Sequence, residues 1–163
     1  MSLEPFLDAP THIQIHAACA TLAIALGPVA IYRRRRDMIH KVSGYVWIAA
    51  MLTTAITSFW IHSFAVIGPF SPIHLLAILA IWSIFQGMRA IFRGNVSLHR
   101  AVFRNLYWNG LMIAGLHNFL PGRTTARSFL GPDSALNWAV IAVGGAFLAY
   151  RMLRGKMNLQ VAA

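Results

Sequence analysis

Five long apolar runs, separated by short polar or basic stretches, divide the chain. The first covers about His12 to Tyr32 and ends in Arg33-Arg34-Arg35-Arg36; the second covers about Val42 to Ile67 and stops at Gly68-Pro69. The third runs from about Ile73 to Phe92, the fourth from about Ala101 to Leu120 with Pro121-Gly122 closing it, and the fifth from about Ala135 to Leu153. At about 1.5 Å of rise per residue each reaches roughly 28–39 Å, enough to cross a hydrocarbon core ~30 Å thick. A lone span in lipid satisfies its backbone polar groups only as a helix. The pattern therefore predicts an all-α, polytopic membrane bundle of about five transmembrane helices forming a single integral domain over residues 1–163. The connections are short, so sequential helices are expected to be antiparallel neighbours.

Charge placement orients this bundle. Of the 14 Lys and Arg residues, 12 follow the first, third and fifth runs: Arg33 to Arg36 with Lys41, then Arg89, Arg93, Arg100 and Arg104, then Arg151, Arg154 and Lys156. Only Arg123 and Arg127 fall on the other side. Basic loops stay in the cytoplasm, so the N-terminus is expected outside and the C-terminus inside. Residues Met1 to Pro10 hold Glu4 and Asp8 but no Lys or Arg. A cleavable signal's basic start is thus missing, and the first span is expected to serve as an uncleaved anchor. Hydrophobic residues make up 58% of the chain and charged residues 11%, against roughly a quarter charged in soluble domains. The net charge of +10 sits between spans, which argues for a membrane surface and against nucleic acid.

Seven histidines in so apolar a chain are the main chemical signal, because an ionisable side chain in a span is costly and marks function by default. His40 and His99 open spans two and four at the inner face; His16 and His74 lie at the outer end of spans one and three. Each pair draws one imidazole from each of two helices at one membrane depth. That is the layout of two b-type haems stacked across a bilayer, each iron held by two histidines. On the helical period His16 shares a face with Ala20, Ala23 and Gly27, and His40 with Gly44, Trp47 and Met51. Small residues there admit a flat macrocycle, though the same spacing also serves ordinary helix packing in membranes. Arg33 to Arg36, Arg100 and Arg104 are candidate partners for inner propionates, and Arg123 and Arg127 for outer ones. Arg104 lies one turn inside its span and needs an anion, a carbonyl or a route to the interface.

His12, His62 and His117 read as interfacial polar rings. Pairing His40 with His99 and His62 with His117 would set the two sites roughly 27–33 Å apart along each helix, nearly the full membrane thickness. His12, His16 and Cys19 fall at i, i+4 and i+7 of one helix and form a secondary candidate for a soft metal. The carboxylates are Glu4, Asp8, Asp37 and Asp133, all near ends or loops, so no acid pair or Ser–His–Asp set is in place and no hydrolase or transferase motif is present. Gln86, Thr54 and Ser58 are neutral polar groups suited to helix–helix hydrogen bonds or a quinone headgroup.

A set of motifs then carries a resemblance. His16 with Leu26-Gly27-Pro28, and His40-Lys41 with Gly44-Tyr45, are joined by Ser71-Pro72-Ile73-His74-Leu75-Leu76, Arg93-Gly94-Asn95, His99-Arg100, Tyr107, Gly110 and Pro121-Gly122-Arg123. From about His12 to Arg123 this resembles a bacterial predicted-membrane-protein family catalogued as domain of unknown function 2306. Lys41 stands where that family usually has Arg, and His117 where it often has Thr or Phe. The resemblance implies a multi-pass protein of the bacterial inner membrane. The histidine layout is in turn similar to that of transmembrane di-haem b-type cytochromes. The expected function is a membrane electron carrier with up to two b haems, working with a quinone or a larger redox complex. The alternative is a cofactor-free accessory subunit packed in a larger membrane assembly.

Overall fold

The computed structural model describes residues 4–61, 72–131 and 135–161. In chain order it contains α1 (Glu4–Leu7), α2 (Thr11–Tyr32), α3 (Met38–Thr57) with a 3₁₀ turn at Ser58–Trp60, and α4 (Pro72–Phe92). Then follow α5 (Val96–Asn105), a π-helical segment (Leu106–Met112), α6 (Ile113–His117), α7 (Thr124–Phe129) and α8 (Ala135–Val161). No strand occurs among the described residues. Among the described residues four helices are long and apolar enough to cross a membrane: Thr11–Tyr32, Met38–Trp60, Ile73–Phe92 and Ala135–Arg154. The fourth expected span takes a different form. It starts at Val96 rather than Ala101 and is divided into α5, the π segment and α6, with Arg104, Asn105 and Asn109 along it. His62, Gly68-Pro69, Ser71 and Asp133 lie outside the described residues.

The chain forms two compact units, one of residues 9–111 and one of residues 1–8 with 112–163. In the first, α2 packs along α3 and α4 packs against α5. The buried positions of α2 are all small, Ala20, Ala23, Gly27 and Ala30, and on α4 the small Ala77, Ala80 and Ala90 are buried beside Ile84 and His74. Many large apolar side chains of α4 are exposed instead, among them Leu75, Ile78, Leu79, Trp82, Phe85 and Phe92, the last 78% exposed. Water would penalise that arrangement heavily. Lipid favours it, since close backbone approach rather than burial of bulk drives helix association there.

Local sequence sets the boundaries. Asp37 caps α3 by accepting the His40 amide at 3.0 Å, so the helix begins at Met38, four residues before the expected Val42. Asn95 caps α5 by accepting the Leu98 amide at 3.0 Å. Gly94, at φ +75°, makes the left-handed turn that ends α4, a conformation glycine adopts without strain.

Pro28 lies inside α2 and has no amide proton, so the Ile24 carbonyl loses its i+4 donor. Tyr107 from the π segment supplies the replacement, its hydroxyl donating to that carbonyl at 3.1 Å. Gly27 lets the ring in: a Cβ there would meet Tyr107 Cε2 at 2.0 Å. One carbonyl earlier, the Trp47 indole N–H donates to Ala23 at 2.9 Å. Tyr32, the last residue of α2, receives the Trp108 indole N–H at 2.7 Å and lies under the Arg104 guanidinium at 5.5 Å. These contacts fasten α5 and the π segment to α2.

In the second unit α1 packs with α7, and α6 with α8. Gly144 permits the second contact, because a Cβ there would lie 2.4 Å from Leu116. Asn137 is fully buried and its Nδ2 donates to the Gly131 carbonyl at 3.4 Å.

Candidate functional site

The inner histidines come together. The first turn of α3 presents His40, and α5 presents His99, to one cavity of about 370 Å³, within the size range of small-ligand sites. Its walls are apolar, with Ala30, Trp47, Ile48, Met88, Ile91 and Phe103 among them. Its other lining residues include five cations, Arg33, Arg34, Arg36, Lys41 and Arg100. An apolar hollow edged by positive charge suits a flat or extended apolar molecule that carries acidic groups.

The two imidazoles differ in what holds them. His99 Nδ1 lies 2.9 Å from the Gly87 carbonyl. A carbonyl only accepts, so Nδ1 carries the proton and donates, and Nε2 is the ring nitrogen left outside this bond. That is the tautomer of a metal-ligating histidine braced by a backbone acceptor. The His99 ring also meets the edge of Phe103 at 4.9 Å, and Phe103 meets Trp47 edge-on at 5.7 Å. Trp47, 1% exposed, thereby connects His99 to α2. Glycine at position 87 also makes room for the Phe103 ring, since a Cβ there would lie 2.6 Å from it. His40, in contrast, has a buried Nδ1 with no hydrogen-bond partner. A buried polar atom without a partner is costly and points to a group that completes it.

Asp37 holds Arg33, one of the cations that line the cavity. Its carboxylate accepts from Arg33 Nε at 2.8 Å, pairs with the Arg33 Nη2 as well, and caps α3 at His40. The Arg33 hydrogen bond, with help from the His40 amide, holds the Asp37 carboxyl well below the usual carboxylate range, and the same contact raises Arg33. Arg33 is thus partly neutralised, while Arg34, Arg36, Lys41 and Arg100 remain as the cations that face an incoming anion.

The outer histidines sit at the far end of α3. His16 Nδ1 lies 3.2 Å from Thr57 Oγ1. Thr57 gives its own proton to the Thr53 carbonyl at 2.7 Å, so His16 donates through Nδ1. His74 is buried, stacks on Phe59 with ring centroids 5.6 Å apart, and has Nε2 3.3 Å from the Phe59 carbonyl. His74 therefore donates through Nε2, the other ring nitrogen, and neither outer histidine lines the inner cavity.

The remaining expected residues are scattered. Arg100 lines the cavity, whereas Arg104 stacks on Tyr32 and does not. His12 and Cys19 are half-buried on α2, and among the described residues no three His, Cys, Asp or Glu side chains converge as a metal ion requires. His117 accepts from Arg123 at 3.0 Å. Gly87, Phe103 and Asp37 were not singled out from the sequence as site residues. Only Asp37 carried a readable sign, as a lone carboxylate four residues after Arg33.

No curated protein and no solved structure matches the chain. The family model described as predicted membrane protein (DUF2306) matches residues 13–154. That range takes in His16, His40, His74 and His99, the cavity and the Pro28–Tyr107 contact, and the chain belongs to the DUF2306 family of predicted membrane proteins.

Proposed function

We propose that this protein is a b-type cytochrome of the bacterial inner membrane, with a haem in the inner cavity ligated by His40 and His99. The observation that carries this reading is the pairing of a braced His99 with a buried, partnerless His40 Nδ1 on one apolar, cation-edged hollow. Haem would supply one-electron redox chemistry there. The chain's own residues would do the rest. Gly87 fixes the His99 tautomer, Phe103 and Trp47 exclude water, and Arg34, Arg36, Lys41 and Arg100 receive the propionates. A second haem on His16 and His74 would extend the electron path to the outer face, with a quinone or a larger redox complex as partner. Arg104, occupied with Tyr32, fastens helices in this scheme and binds no propionate.

The same reading has five spans, the fourth formed by Val96 to His117. Those 22 residues match the number that a helical span requires. π-helical segments are tolerated within helices and gather at functional sites. Five spans keep the C-terminus on the arginine-rich, cytoplasmic side; four would move it outside. A reporter fused to the C-terminus, active only in the cytoplasm or only in the periplasm, distinguishes the two. The redox reading is tested by absorbance of the purified protein, oxidised and reduced. Sharp reduced bands of a six-coordinate b haem support it, and a colourless preparation from haem-replete cells overturns it. A second reading, a cofactor-free accessory subunit, is favoured by the last helix, whose apolar window is only 11% buried. It predicts that colourless preparation together with a co-purifying membrane partner.

A further inference from the structure

A second hollow lies at the end of α4, outside the histidine site. Gln86, Arg89 and Arg93 fall at i, i+3 and i+7 on one face of that helix and its exit, and the turn through Gly94 brings Asn95 and Leu98 to the same hollow. The Asn95 side-chain oxygen is occupied by the Leu98 amide and the Ser97 hydroxyl, so Nδ2 is the side-chain donor that Asn95 brings to this hollow. Two guanidiniums and two amide donors thus surround one space, and no carboxylate lines it. Like charges one helical turn apart repel, so Arg89 and Arg93 are held together at a cost that an anion removes. Guanidinium forks match phosphate oxygens in a bidentate geometry that an ammonium lacks. The hollow lies where an apolar span gives way to the basic surface, and basic pockets at that depth take lipid headgroups.

We propose that this hollow binds a phosphate group, carried by an anionic lipid headgroup. Arg89 and Arg93 grip the phosphate oxygens, and Gln86 and Asn95 donate to the remainder. The exposed apolar side of α4, with Phe85 and Phe92, runs beside the acyl chains. The site is independent of His40 and His99, so it stands whether or not haem is bound.

The test uses the full chain in detergent and follows its melting temperature against added phosphatidylglycerol, phosphatidylcholine or inorganic phosphate. Phosphatidylglycerol should stabilise the protein at concentrations where phosphatidylcholine does not. The Arg89→Gln/Arg93→Gln variant should need at least about tenfold more of it. The Arg35→Gln/Arg154→Gln variant, with the same loss of charge elsewhere, should respond as the parent does. Equal weakening in both variants would show a general charge effect and overturn the site. Saturation by inorganic phosphate at the same concentrations would overturn the lipid as its source. Haem content, measured alongside, should be unchanged in both variants, so the outcome does not depend on the redox reading.

Discussion

Replacing Tyr107 by Phe isolates one hydrogen bond whose need is set by the sequence. In α2 the Ile24 carbonyl would ordinarily accept from residue 28, which is a proline, and the Tyr107 hydroxyl takes that role at 3.1 Å. Removing the hydroxyl leaves the ring packed on Gly27 and strips the carbonyl of its donor. An unsatisfied buried acceptor costs about 1–3 kcal/mol. Interhelical hydrogen bonds in membranes average about 0.6 and reach about 1.7 kcal/mol, so Tyr107→Phe should cost about 1–1.5 kcal/mol. Pro28→Ala restores a backbone N–H for Ile24, so in that background Tyr107→Phe should cost no more than about 0.5 kcal/mol. Equilibrium unfolding in mixed micelles, completed as a double-mutant cycle, reads the difference as a coupling of about 1 kcal/mol. If Tyr107→Phe costs the same with Ala as with Pro at position 28, the proline is not the reason for this contact, and the explanation of the Gly27-Pro28/Tyr107 set fails.

Three further outcomes follow from the same geometry. Gly87→Ala places a methyl 2.6 Å from the Phe103 ring, which should destabilise by about 1–3 kcal/mol and lower haem content at the inner site, read from a cofactor-to-protein ratio. Asp37 is held below its unfolded pKa. Its contribution is complete above the ordinary carboxylate pKa of about 3.9 and disappears as pH falls through the depressed value. The melting temperature should thus lose an Asp37-dependent component only at strongly acidic pH, and Asp37→Asn should remove that component while leaving the cap of α3 largely in place. Finally, a cytoplasm-active reporter at the C-terminus should be active, as five spans require, and activity of a periplasmic reporter instead would remove the fourth span.

The lipid-embedded helices were legible because their signal is long and redundant. Four apolar runs appear as helices within a few residues of their expected starts, and the largest shift, Val42 to Met38, comes from the Asp37 cap. The fourth run was harder to read. Its apolar positions are interrupted by Arg104, Asn105 and Asn109, and what accommodates Arg104 is an aromatic ring 72 residues away in sequence, Tyr32. His40 and His99 were expected at one level from their places in the sequence, and α3 and α5 do present them to one cavity. What braces them was not expected. Any residue at 87 would offer the carbonyl that His99 meets, and the glycine itself does not announce that the Phe103 ring packs there. The outer pair shows the limit of reasoning from depth: His16 and His74 share a level near the end of α3, yet one is bonded through Nδ1 and the other through Nε2.

The inner cavity is tested most directly by haem stoichiometry in single and double variants. His40→Ala and His99→Ala should each remove the same haem, and the double variant should remove no more than either alone. His12→Ala should retain the full complement. A protein that keeps its whole haem content without both inner imidazoles, or that loses separate fractions additively, contradicts a single iron shared between α3 and α5.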